Sequence, residues 1–141
     1  MNIKPDKAFP APMSVRWTWL DWPAGLRWVL TAAYFALVNW LLFTPSRTFR
    51  NVPLFFPQED KIAHLAIFGT LAALIRWSMP DRWVKGWRGG AFIVVLAAYG
   101  ASTECIQALI PHSTRLFEWG DIAMDFTGVV LGMVICGWFR K

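Results

Sequence analysis

The chain has 141 residues, a formal net charge of +5, 56% hydrophobic residues and only 16% charged ones. Soluble domains carry about 45–50% apolar and about 25% charged residues, and a single domain of this size has too little interior to hide so much apolar surface, so lipid is the expected solvent. The 14 Lys and Arg are scattered around apolar runs, with no block or stripe of the kind that nucleic acid requires.

Residues 1–25 read as a short interfacial segment. "SVRWTWLDWPAGLRW" sets Trp17, Trp19, Leu20 and Trp22 among charges, a pattern suited to the headgroup region. It has no continuous apolar core of the signal-peptide type. The first long apolar run is therefore expected to act as an uncleaved signal anchor. Residues 26–141 form the transmembrane domain.

That domain contains four apolar segments: Leu26–Phe43, Asp60–Met79, Gly90–Ile110 and Asp121–Phe139. A spanning helix needs about 20 residues. The first and third reach this length easily. The second and fourth reach it with their charged ends included, which lets Lys61 and Arg76 extend to the headgroups; the alternative is that these two are buried or re-entrant helices. Three of the segments stop at or just before a proline, as helices do. The expected fold is all-α, an integral membrane four-helix bundle. Trp77, Trp83, Trp87 and Trp138 are expected as interfacial anchors on one side, Trp40 and Trp119 on the other.

Orientation follows from the basic residues. Lys4, Lys7, Arg16, Arg27, Arg76, Arg82, Lys85, Arg88, Arg140 and Lys141 fall on one side, and Arg47, Arg50, Lys61 and Arg115 on the other. The positive-inside rule places both termini in the cytoplasm, N-in/C-in. Cys105 and Cys136 then lie about 15 Å apart in depth, too far for a disulfide.

This topology gathers the polar residues at the outer end. Asp60, Lys61 and His64 open the second helix, Glu104 and Gln107 close the third, Arg115 lies in the outer loop, and Asp121 and Asp125 open the fourth. Spacings of three and four put Asp60 with His64, Glu104 with Gln107, and Asp121 with Asp125 on single helix faces. Gly100 continues one stripe, and Gly128 and Gly132 another, so the polar groups occupy the faces where helices pack closely.

"DKIAH" (Asp60–His64), "ECIQ" (Glu104–Gln107) and "RLFEWGDIAMDFTGVVLG" (Arg115–Gly132) resemble the VanZ-like family of bacterial membrane proteins. Its pattern is D-K-x-x-H, E-x-x-Q, then an Arg followed by D-x-x-x-N and a Gly-rich helix. The likeness covers roughly residues 26–139, and this chain has Asp125 where the family usually has Asn. The resemblance implies a multi-pass protein of the bacterial cytoplasmic membrane, of a family whose founding member is linked to resistance to the glycopeptide teicoplanin.

Three readings of the cluster stand side by side. It ties helices together, with Glu104 paired to His64 or Arg115, Asp60 to Lys61 or Arg115, and Gln107 bridging. It binds a lipid-linked or other envelope amphiphile, as intramembrane ionisable groups often serve a ligand. Or it is catalytic, a membrane hydrolase or transferase using His64, Glu104, Asp121 and Asp125 as acid, base and orienting groups. No cofactor is expected. A divalent metal on those same four residues is the minor alternative. Oligomeric state is left open.

Overall fold

The computed structural model describes residues 22–44, 59–109 and 118–140. Among them the structure is helical, without strands: α1 (Ala24–Phe43), α2 (Glu59–Ser78), α3 (Asp81–Val84), α4 (Trp87–Leu109) and α5 (Trp119–Phe139). The interfacial segment up to residue 21, His112 and Arg115 lie outside the described residues. The long helices match the four apolar segments to within three residues at each end. The short α3 was not anticipated. It forms where Pro80 presets a helix start, and Gly86, at φ 64°, supplies the left-handed turn that leads into α4.

Helices α1, α4 and α5 are long and apolar enough to cross a membrane. Helix α2 has 20 residues, about 30 Å of rise, but Glu59, Asp60, Lys61 and Arg76 make it less apolar. The distribution of side chains is inverted relative to a soluble protein. His64, Glu104, Gln107, Asp121 and Asp125 are buried, while Val29, Val94, Val95, Val134 and Ile135 are more than half exposed. In water such a surface would aggregate; against lipid it is the expected outer face.

Helices α2 and α5 make the most extensive contact in the molecule. A Cβ on Gly128 would collide with the Leu65 carbonyl oxygen, and one on Gly132 with that of Gly69. Helix backbones therefore touch directly, at a separation that only glycine permits. Around this seam the core collects Val38, Leu42, Phe68, Leu71, Ala72, Leu96, Val129 and Met133.

Helix α1 is held by hydrogen bonds as well as by packing. Thr31 and Ser78 share a bond of 2.8 Å between hydroxyls, and the Tyr34 hydroxyl donates to the Ile67 carbonyl at 3.2 Å. Interhelical bonds of this kind contribute about 0.6 kcal/mol on average in a membrane protein. Trp77 corrects an expectation. It is buried against Trp22, with ring centroids 5.7 Å apart, and is not an interfacial anchor. Trp22 lies just ahead of α1, and the Cys136 and Phe139 positions of α5 adjoin Trp77 as well, so packing overrides the Trp preference for exposure at the headgroups. Trp40, Trp83, Trp87, Trp119 and Trp138 are all exposed.

The seam gives a direct test. Gly132→Ala or Gly128→Ala should destabilise the protein by at least about 1–3 kcal/mol, the usual effect of overpacking against groups that cannot move. Gly90→Ala, where an added Cβ meets nothing within 4 Å, should be neutral or stabilising by up to about 1 kcal/mol. Thermal melts in detergent compare the three; equal losses at Gly90 and Gly132 would refute the close contact.

Candidate functional site

The polar residues meet because their depths match. His64 is five residues into α2, Asp125 six into α5, and Glu104 five from the end of α4. At 1.5 Å per residue, each lies about 7–9 Å inside its helix end. Since α5 packs on both α2 and α4, three side chains at one level on facing stripes converge.

At the centre is His64. Its Nδ1 shares a hydrogen bond of 2.9 Å with Asp125 Oδ1. Its Nε2 lies 3.7 Å from Glu104 Oε1. The ring lies parallel to Phe68, at 6.5 Å between centroids. Exposure is 7% for His64, 2% for Glu104 and 1% for Asp125, so the trio is shut off from the surroundings. Asp125 Oδ2 is buried and has no hydrogen-bond partner among the described residues. Gly100 makes room for it, because a Cβ there would stand 2.9 Å from that oxygen.

Gln107 is one turn closer to the end of α4. Its Nε2 donates to the Leu42 carbonyl at 2.8 Å, so it reaches α1. Helix α1 is thereby tied to the site. The remaining residues form a rim. Lys61 Nζ donates to Glu118 Oε2 at 2.7 Å and lies 3.8 Å from Asp121 Oδ1, with its stem across Gly120. Asp60 is exposed beside Glu118 and Asp121. The pairing of Asp60 with Lys61 gives way to Lys61–Glu118. Glu118 was missed. It occupies the N-cap position of α5, and the only signal for it was an acidic residue just ahead of an apolar run. Proposed pairings with Arg115 fall outside the described residues.

The structure parts the four residues considered for a metal. His64, Glu104 and Asp125 have ligand atoms within 4.8 Å of one another, whereas Asp121 groups with Asp60 and Glu118 at the rim. A divalent ion at the inner group would take His64 Nε2 and Glu104, with Asp125 orienting the ring through Nδ1, the usual carboxylate–histidine arrangement. The unpaired Asp125 oxygen lies outside that pair of ligands and remains an acceptor for an N–H or O–H donor.

A protein-family model described as VanZ/LLP1 matches residues 13–140. No curated protein and no solved structure matches the chain.

The coupling of Gly100 to Asp125 is measurable. Gly100→Ala should destabilise by about 1–3 kcal/mol by forcing the carboxylate off His64. In an Asp125→Ala background the added methyl loses its nearest obstacle, and its effect should shrink by at least about 0.5 kcal/mol in a double-mutant cycle. Strict additivity would show that the two residues do not touch.

Proposed function

The chain belongs to the VanZ/LLP1 family, and on that premise we propose that its buried cluster binds the headgroup of a lipid-linked or other envelope amphiphile. In this reading the protein is a four-helix bundle of the bacterial cytoplasmic membrane, with both termini inside and the His64 cluster near the outer leaflet. Helix α2 spans as well, because its charges sit at its ends and Arg76 is bonded to Asp81 at 2.8 Å. The basic residues supply the orientation.

The observation that carries the proposal is the buried Oδ2 of Asp125, which has no hydrogen-bond partner among the described residues. A buried acceptor without a donor is costly in apolar surroundings. With its other oxygen on the imidazole, Asp125 offers this one as an acceptor, so the site favours a ligand that brings donors. Amines and hydroxyls on an envelope-lipid headgroup have that chemistry. The Lys61–Glu118–Asp121 rim supplies exchangeable charged groups where such a headgroup would enter. An envelope ligand also accords with the association that the family resemblance implies.

A second reading rests on the imidazole itself. With Nδ1 held by Asp125, Nε2 is directed toward Glu104, the arrangement of a general base with its orienting carboxylate. A hydrolase or transferase would use it on the same bound headgroup.

Two measurements test the proposal. In native mass spectrometry, phosphatidylethanolamine or a diglucosyl diacylglycerol should bind more tightly than phosphatidylcholine, whose headgroup has no donors. Asp125→Asn and Glu104→Gln should each weaken that preference by about tenfold, the scale of a lost charged hydrogen bond, while melting temperatures stay near wild type. Lower melting temperatures with unchanged lipid preference would leave the cluster as a helix tie only. The orientation is checked separately: a reporter fused after Arg82 should be active in the cytoplasm, and outward activity would overturn N-in/C-in.

A further inference from the structure

The opposite end of the molecule carries a second polar assembly, with the reverse charge. Arg27 from α1, Arg76 from α2 and Arg140 at the end of α5 converge where α2 terminates. The last carbonyls of a helix lack intrahelical donors and carry partial negative charge. Here Arg27 Nη1 donates to the Trp77 carbonyl at 2.7 Å. Arg140 Nη1 donates to the carbonyls of Arg76 at 2.8 Å, Trp77 at 3.2 Å and Met79 at 2.7 Å. Two guanidinium groups thus share one carbonyl.

Capping α2 does not consume this charge. The only carboxylate in the assembly among the described residues is Asp81, 2.8 Å from Arg76 Nη2 and 3.5 Å from Arg140 Nη2. Arg76, Lys85 and Arg140 surround a cavity of about 570 Å³ together with Asp81 and Trp138, and Met133 and Val134 form its apolar wall on α5. Arg27 does not line the cavity, but it shares the Trp77 carbonyl with Arg140 and so lies next to it. Arg76 Nη1 and Arg27 Nε are buried without hydrogen-bond partners among the described residues. Three cations therefore line the cavity against a single anion, Asp81.

We infer that this cavity binds the phosphate of an anionic phospholipid, with an acyl chain laid along the Met133–Val134 wall. The planar guanidinium fork of Arg76 suits phosphate oxygens. Basic pockets between helix ends are also where anionic headgroups bind membrane proteins. A free phosphate ion would use the same cations, but it has no use for the apolar wall or for the exposed Trp138. The inference needs the helices to span a bilayer. It does not need the His64 cluster to bind anything.

The full chain, purified and stripped of lipid in detergent, provides the test. Phosphatidylglycerol should raise the melting temperature and bind measurably, whereas phosphatidylcholine should not. Lys85→Gln, at an exposed position, should weaken phosphatidylglycerol binding about fivefold, the effect of one basic group near a membrane surface. Arg140→Gln should weaken it further. Asp81→Asn, which removes the competing carboxylate, should tighten it. Asp125→Asn, at the other end, should leave it unchanged, so that failure here is separable from failure of the cluster reading. Equal binding of both lipids, or wild-type affinity in Lys85→Gln, would overturn the inference. So would inorganic phosphate protecting as well as the lipid, by assigning the cavity to a soluble anion.

Discussion

The contact between α2 and α5 sets the rest of the structure. Gly128 and Gly132 bring the α5 backbone against the carbonyls of Leu65 and Gly69. His64 precedes Leu65, and Asp125 lies one turn before Gly128, so the register that seats the glycines also seats the imidazole against the carboxylate. A wider separation would leave a 2.9 Å bond out of reach of two short side chains. The polar site is thus a consequence of the seam, and α4 completes it with Glu104 because Gly100 permits approach to Asp125.

Charge is confined to two layers. Along α2, His64 and Arg76 are twelve residues apart, about 18 Å; along α5, Asp125 and Arg140 are fifteen apart, about 22 Å. Between them the exposed surface is mostly apolar. In the transmembrane arrangement proposed above, both layers sit toward the edges of a hydrocarbon core about 30 Å thick, where desolvation is less severe than at its centre. One layer is acidic with a histidine and the other is basic. Each is anchored to backbone as well as to side chains, through Gln107 to Leu42 in one and Arg27 and Arg140 to the end of α2 in the other.

Much of this was legible in the sequence because lipid simplifies the rules. Apolar runs ended by Pro80 and Pro111, and i, i+4 spacing of Asp60–His64 and Asp121–Asp125, were enough to place helices and to gather polar groups at one end. Pair identity was not legible. Helical spacing fixes which face a residue occupies but not the rotation of one helix against another, so Asp121 was grouped with His64 when it belongs with Lys61 and Glu118. Arg76 and Arg140 were counted only as topology signals, because a sum of charges at a membrane surface does not reveal that three arginines meet on one helix end. Trp77 was assigned to the headgroups by residue preference, which carries no information about the neighbouring α1.

The identity of residue 125 decides what the cluster requires. An Asn there, as in the usual family pattern, carries an amide N–H donor as well as an acceptor oxygen. With Asp125 both terminal atoms are oxygens: Oδ1 is bonded to His64 at 2.9 Å, and Oδ2 is buried without a hydrogen-bond partner among the described residues. A buried acceptor in that state is costly. Lys61 is engaged at the rim with Glu118, 2.7 Å away, and so does not reach it. The Oδ2 side of Asp125 is therefore the point of the cluster at which an added donor has the most to offer.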